Sequence, residues 1–318
     1  MRAVFAPVEN VGKRPLWSVM IPTYNSTKFL RKTLETVLAQ DRGPERMQIE
    51  VVDDASTDDP RALVDAIGRG RVSFFRQPSN LGQIGNLSAS IERARGEIVH
   101  LLHGDDFVLP GFYETLENSF ANDPQIGAAF CRWMVVDSAD RELIVANVEQ
   151  QAAGRLDNAL ERLASEQRIV TPSIVVRRSV WEELGGFDSR LRCAEDWEMW
   201  VRIAARYPIW YEPELLAAYR RHDASTTSRS SRNAEELRYT KKAIRMFAPL
   251  LPKDRRGQIV KRARQAYART ALANAAGFSD RKDWPATWSN LMMAVRLDPS
   301  LRTIRSAGRV LSGRAETK

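Results

Sequence analysis

Three groups of acidic side chains sit where apolar runs give way to polar segments: Asp53-Asp54-Ala55-Ser56-Thr57-Asp58, Asp105-Asp106 and Glu195-Asp196. Carboxylates gathered at strand ends suit a site that holds a divalent cation with a polyphosphate and then removes a proton. Glu195-Asp196 opens a stretch in which Trp197, Trp200, Val201 and Ala204 recur at helical spacing. Both acids therefore fall at the positive end of a helix, which favours their ionised form. A first-turn acid can also do no more than cap its helix.

The elements that must position these acids are legible from periodicity. Trp17 to Ile21 and Ile49 to Val52 read as buried strands, the first ending in Pro22-Thr23-Tyr24-Asn25. Between them Phe29, Leu30, Leu34, Val37 and Leu38 predict a helix capped by Ser26 or Thr27. Val72 to Phe75 predicts a third strand, followed by a helix from Asn80-Leu81-Gly82 to about Ala94. Ile98 to Leu102 predicts a fourth, ending in His103-Gly104-Asp105-Asp106. Strand-helix alternation of this kind predicts an α/β fold with a mainly parallel sheet covered on both faces and its ligand crevice at the carboxyl ends of the strands. Further on, a helix over Val180 to Leu184 closes at Gly185-Gly186, and Glu214 to Tyr219 reads as a strand. Helices are predicted over Arg229 to Phe247, Arg255 to Ala276 and Trp284 to Leu297, separated by Pro249, Pro252 and Gly277 and closed by Asp298-Pro299.

From about Trp17 to His222 the chain resembles family 2 glycosyltransferases of the GT-A fold. The resemblance is carried by Ile21-Pro22-Thr23-Tyr24-Asn25, Val52-Asp53-Asp54-Ala55-Ser56-Thr57-Asp58, Asn80-Leu81-Gly82, Gly104-Asp105-Asp106, Gly185-Gly186-Phe187-Asp188, Glu195-Asp196-Trp197-Glu198-Met199-Trp200 and Tyr219-Arg220-Arg221-His222, in that order. It implies a GT-A catalytic domain over 15–222, with a Rossmann-like nucleotide-binding half (15–106) and an acceptor half (107–222). Residues 1–14 form an N-terminal extension, and 223–318 a basic lid and helical C-terminal extension. It also implies transfer of a sugar from a nucleotide diphosphate, a UDP-sugar foremost, to a hydroxyl of a saccharide or lipid-linked saccharide, with inversion at the anomeric carbon.

The resemblance places Pro22, Thr23, Tyr24, Asn25, Asp53, Asp54, Ser56, Arg76, Asn80, Gly82, His103, Gly104 and Asp105 on the nucleotide side. Tyr24 offers a stacking surface for the base and Asp54 an acceptor for its ring N–H. Asp-Asp-x-Ser-x-Asp equally makes Asx-turns and caps, so that role stays open for Ser56 and Asp58. Arg76 and Asn80 reach phosphate or ribose, or simply face solvent. The family's Asp-x-Asp appears here as His103-Gly104-Asp105: the first acid is replaced, and Asp105, the position that the resemblance marks as a ligand of Mn²⁺ or Mg²⁺, is kept. His103 either donates to a ribose hydroxyl or packs at the strand end, and Gly104 lets the backbone approach the donor. His222 is a second metal-ligand candidate and Arg220 and Arg221 are diphosphate candidates, with Asp223 to Arg232 as a lid; an ordinary polar loop is the competing reading. By resemblance Asp196 is the general base, Glu195 orients the acceptor, and Gly186 and Trp197 border the acceptor side. Trp181, Trp197 and Trp200 otherwise read as core.

Composition bounds the alternatives. The chain has 318 residues, 43% of them apolar, and a net charge of +8. Residues 223–318 hold 21 Lys and Arg against 8 Asp and Glu, a net of +13, while residues 1–222 hold 27 against 32, a net of −5. No uninterrupted apolar run is long enough for a spanning helix, and Met1 to Arg14 lacks the apolar core of a signal peptide, so a cytoplasmic protein is expected. Cys131 and Cys193 suggest neither a disulfide framework nor a zinc site; both read as buried small side chains. The basic tail is either a contact with the anionic inner membrane face or a solvated helical appendage, and a homo-oligomer is compatible with it. Three classes remain: the glycosyltransferase, a glycoside hydrolase, which needs no nucleotide pocket, and a non-catalytic nucleotide-sugar-binding module acting through its basic helices. Nucleic acid is disfavoured as a partner, because a complete acidic site argues against such binding as the whole function.

Overall fold

The computed structural model describes residues 1–8, 14–222 and 230–312. In chain order the elements are β1 (Trp17–Thr23), α1 (Thr27–Leu38), β2 (Met47–Asp53), α2 (Arg61–Gly68), β3 (Ser73–Arg76), α3 (Gly82–Arg93), β4 (Ile98–Leu101), β5 (Phe107–Val108) and α4 (Phe112–Asn122). They continue with β6 (Ala128–Val136), β7 (Glu142–Val145), β8 (Gly154–Arg155), α5 (Ala159–Ser165), β9 (Ile174–Arg177), α6 (Arg178–Leu184), α7 (Glu195–Ala204) and β10 (Ile209–Arg220). Among the described residues the helices α8 (Glu235–Phe247), α9 (Arg256–Asp280), α10 (Trp284–Leu297) and α11 (Leu301–Leu311) follow. The chain forms two compact units, one of Met1–Ala159, Ile169–Arg190 and Arg206–Arg221, the other of Leu160–Arg168, Leu191–Ala205 and His222–Lys318.

The first unit holds the whole sheet, in the order β3-β2-β1-β4-β9-β6-β10-β5, with β7 on β6 and β8 on β10. Its nucleotide-side half, β3-β2-β1-β4, is entirely parallel. The long β6–β10 ladder is parallel as well, while β9 runs antiparallel between β4 and β6. Every residue of β1 and β2 is buried, so apolar residues dominate both, interrupted by the buried polar Ser18, Gln48 and Glu50. Their core includes Trp17, Val19, Ile21, Ile49 and Val51 with Leu30, Leu34 and Val37 of α1. Chain order reverses across β1, since β2 lies on one side of it and β4 on the other. Loops following such strands diverge and leave a crevice at their carboxyl ends. β10 is twice as long as its predicted core of Glu214 to Tyr219, extending through a bulged register from Ile209 to Arg220.

In the second unit α8 starts at Glu235, after Ala234 in a left-handed conformation; the predicted start at Arg229 lies outside the described residues. α9 runs through Gly277 to Asp280: a single helical glycine costs only about 1 kcal/mol and does not stop a helix with buried Ala263, Ala266, Ala268, Ala271 and Ala275. α10 has the predicted bounds. α11 was not foreseen; the Ser300 hydroxyl accepts the Thr303 N–H and caps it. Trp197 of α7 packs against Phe247 of α8 and Tyr267 of α9, with ring centroids 4.9 Å apart in both cases. The C-terminal helices therefore wrap the helix that carries Glu195 and Asp196. Among the described residues no helix is long and apolar enough to cross a membrane.

Candidate functional site

The loops after β1, β2 and β3 are tied into one rim. Asn25, at a positive φ of 50°, accepts the Thr57 N–H at its Oδ1 (2.8 Å), and its own N–H donates to Ser56 Oγ (2.9 Å). Asp58 accepts the Thr27 N–H (2.9 Å), so it caps α1 from the neighbouring loop. Ser26, the expected cap, instead pairs its hydroxyl with Thr23 Oγ1 at 2.5 Å. Asp54 plays the same part for α3: its Oδ1 accepts the Leu81 N–H at 2.7 Å. Burial raises the Asp54 carboxyl above its ordinary value, against the lowering pull of the Leu81 and Gly82 N–H groups. Asp53 is wholly buried and receives the Ser56 hydroxyl, with Arg76 3.4 Å away.

Several residues read as donor contacts thus serve the rim itself. Arg76 donates to the Ser56 carbonyl (2.6 Å), and Asn80 donates to the Asp54 carbonyl (3.1 Å) while accepting the Gly82 N–H. Gly82, at φ +74°, has open space around the position of a Cβ. Tyr24 remains 51% exposed and free to present its ring face.

The acidic turn after β4 is the most strongly organised part. The Gly104 N–H donates to the Pro22 carbonyl at 3.0 Å, and Thr33 of α1 donates to the Asp106 carbonyl at 2.7 Å. A Cβ on Gly104 would lie 2.7 Å from Thr23 Oγ1 and 3.0 Å from Ser26 Oγ, so this glycine is required by the packing of β4 against the β1 loop. Ligand atoms of His103, Asp105 and Asp106 all lie within 4.8 Å of one another. Asp106 is buried; its Oδ1 accepts the Arg220 N–H at 2.8 Å, and its Oδ2, without a hydrogen bond, lies 3.6 Å from His103 Nδ1. Burial, then repulsion from Asp105, pushes the Asp106 carboxyl up to about 6. A buried carboxylate oxygen beside a second carboxylate and an imidazole is a donor set that a hard divalent cation accepts.

Arg220 does not reach outward as a lid residue would. It is 2% exposed and donates from Nε to the Asp105 carbonyl (2.8 Å) and from Nη1 to the Asp137 carbonyl (3.0 Å). An ion pair with Asp140 and ring contacts with Phe29 and Phe107 complete its surroundings. It is a bracket that holds the acidic turn. Arg221 is exposed and His222 half-buried. The expected lid falls mainly on 223–229, outside the described residues.

Gly186, expected on the acceptor side, packs against the N-terminal residues. It is buried, its N–H donates to the Ala3 carbonyl at 2.8 Å, and a Cβ there would meet the Phe5 ring at 3.0 Å. The neighbouring Asp188 is held well below the ordinary carboxylate range by Arg190, and it bridges to Arg2. Residues 1–6 thus form a clamp over the Gly185-Gly186 turn, a role with no local sequence signal.

In the second unit Asp196 is gripped from both oxygens. Oδ2 accepts Gln167 Nε2 at 2.6 Å and Oδ1 accepts the Trp197 N–H at 2.7 Å. Gln167, which sequence reading missed, thereby fixes the carboxylate at the amino end of α7. Glu195 is buried, as is Glu198, which pairs with Arg202 at 2.9 Å. Trp197 donates from its ring to the Leu163 carbonyl at 2.6 Å, and Trp181, Trp197 and Trp200 are all core, as the periodicity indicated. Of the cysteines, Cys131 is buried and Cys193 only half-buried; both are free thiols.

Comparison with known proteins agrees with this architecture. The family profile described as Glycosyl transferase family 2 matches residues 18–185. An uncharacterised protein of Mycobacterium tuberculosis is 32% identical over 232 residues, 67% of this chain and 69% of its own length. Among solved structures, S. aureus TarS 1–349 in complex with UDP-GlcNAc superposes with a TM-score of 0.67 at 17% identity, covering 94% of this chain and 88% of that one. A Pyrobaculum calidifontis mannosyltransferase in complex with GDP-Man and Mn²⁺ gives 0.60 at 20% identity, covering 97% and 83%. At these identities both structures speak for the GT-A fold alone. With the profile spanning more than half of the chain, this protein belongs to glycosyl transferase family 2 and is a glycosyltransferase.

Proposed function

We propose that the protein is an inverting glycosyltransferase that uses a nucleotide-diphosphate sugar, a UDP-sugar in the first place, and a saccharide or lipid-linked saccharide acceptor in polysaccharide or glycoconjugate synthesis. The observation that carries this reading is the acidic turn at the end of β4, where His103, Asp105 and Asp106 converge and Arg220 and Thr33 fix the backbone. Tyr24 supplies the stacking face for the base, and Asp54, whose Oδ1 is occupied by Leu81, has its second oxygen for the ring N–H. Asp105, with His103 and Asp106 beside it, would hold Mn²⁺ or Mg²⁺; when bound, the cation neutralises charge developing on the departing diphosphate. Asp196 takes the proton of the acceptor hydroxyl as that oxygen bonds to C1. The bond from C1 to the phosphate oxygen breaks with its electron pair leaving on the nucleoside diphosphate. Gln167 and the Trp197 N–H keep the Asp196 carboxylate oriented for this transfer.

A thermal-shift screen of UDP-, GDP- and dTDP-sugars with and without Mn²⁺ tests the reading. Stabilisation by a nucleotide-sugar that disappears with EDTA is the expected result. Stabilisation by no nucleotide-sugar under either condition overturns it.

A further inference from the structure

The outer face of α10 carries three large apolar side chains four residues apart, Trp284, Trp288 and Met292, exposed by 47%, 51% and 50%. The opposite face of the same helix is buried through Ala286, Asn290, Leu291, Ala294 and Leu297. The stripe is therefore additional to what the packing of α10 requires. Arg296 continues it at the next four-residue step. Trp288, Met292 and Arg296 line a cleft of about 300 Å³ with Arg238 of α8 and Asn233.

Cations are concentrated here. Lys241 donates to the Arg296 carbonyl at 3.4 Å. Burial, then the nearby charges of Arg245, Arg264 and Arg296, lowers the affinity of the Lys241 amine for its proton. Asp283, the acid next to Trp284, is engaged by Arg232 at 2.8 Å. Indole rings flanked by arginine and lysine match the interface of a bilayer with anionic headgroups, where aromatic rings sit at headgroup depth and cations meet phosphate. A second copy of the chain fits less well, since a symmetric contact through this face would set each cation near its own equivalent.

We infer that the Trp284-Trp288-Met292 stripe, with Arg238 and Arg296 beside it, docks the protein on anionic lipid surfaces. The inference deepens the proposed function, and rests on it, by naming where an enzyme of lipid-linked acceptors would meet the bilayer. Its test uses neither donor nor acceptor, so its failure is distinguishable from a failure of the transfer reading.

The full chain is sedimented with vesicles of phosphatidylcholine alone and of phosphatidylcholine mixed with phosphatidylglycerol, at low and high salt. Binding is expected only to the mixed vesicles and to weaken with salt. Trp288→Ser/Met292→Ser should bind about tenfold more weakly at both salt concentrations. Arg238→Gln/Arg296→Gln should lose roughly fivefold per residue at low salt and little at high salt. Melting curves establish that the variants are folded; should either pair unfold, the single changes Trp288→Ser and Arg238→Gln replace it. No binding of the intact chain to mixed vesicles overturns the inference, as does binding by folded stripe variants equal to that of the original chain. Equal binding to both vesicle types overturns the role given to the cations.

Discussion

Replacing Arg220 by methionine separates a bracket of the acidic turn from a ligand of the diphosphate. Methionine refills much of the volume beside Phe29 and Phe107 but donates nothing. The Asp105 carbonyl loses its donor at 2.8 Å, while the Asp137 carbonyl loses one at 3.0 Å but keeps the Asp140 N–H at 3.2 Å. An acceptor shielded from water and left without a partner, as the Asp105 carbonyl would be, costs about 1–3 kcal/mol. Asp140, 43% exposed, turns to water at little cost. A net loss of about 2 kcal/mol follows, which for a chain of this size lowers the melting temperature by roughly 3 °C. The released turn should also weaken binding of Mn²⁺ with a nucleoside diphosphate by about 10- to 100-fold, as loss of a group supporting metal ligands does. Calorimetric melting and titration with Mn²⁺ and UDP read both effects. Arg220→Lys, which keeps the charge but not the fork, should recover only part of the stability. A melting temperature within about 1 °C of the original chain in the methionine variant, together with lost diphosphate binding, would refute the bracket and make Arg220 a direct ligand.

Two further outcomes are expected. His100 is buried, hydrogen-bonded to Tyr113 (3.2 Å) and the Pro172 carbonyl (3.1 Å), with its pKa pushed down by burial to about 3. The unfolded chain takes up this proton near 6.5 and the folded chain does not, so the stability contributed by neutral His100 is complete above about 6.5 and is lost as pH falls toward 3. Asp106 has the opposite sign: with its pKa raised to about 6 it favours folding at low pH, and that contribution is lost as pH rises through about 6. His100→Gln, followed by urea unfolding in EDTA between pH 4 and 6.5, should therefore turn a nearly flat profile into one that declines with pH; parallel profiles would contradict the assignment. Tyr267→Ala should cost about 3 kcal/mol by opening a cavity against Trp197. An unchanged urea midpoint would show that α9 does not support α7.

The nucleotide-side half was readable because its physics is local. β1, β2 and β4 are buried along their whole length, and the acids that follow β2 and β4 stand out against these mainly apolar runs. The side-chain roles were less legible where partners are distant in the chain. Arg220 reads as an exposed cation at a strand end, and only the folding of β10 beside the β4 turn reveals that its donors are consumed by Asp105 and Asp137. Asp54 reads as a contact of the base and Asp58 as a turn or cap of its own loop, yet their carboxylates cap α3 and α1, 27 and 31 residues away. Gly186 carries a turn signal, but its burial comes from Phe5 and Ala3 at the other end of the chain. Gly277 reads as a helix end by propensity alone, but the buried alanine face holds α9 together through it.

In the proposed reaction Asp105 serves the donor diphosphate and Asp196 the acceptor proton. The most direct measurement of both roles titrates the donor identified by thermal shift into the original chain, Asp105→Ala and Asp196→Asn by calorimetry, with Mn²⁺ or EDTA, and follows turnover of the same samples. Asp105→Ala should lose the Mn²⁺-dependent part of donor affinity, whereas Asp196→Asn should bind the donor normally and fail to turn it over. Near-normal turnover by Asp196→Asn, or donor affinity that ignores both EDTA and the loss of Asp105, would contradict the account.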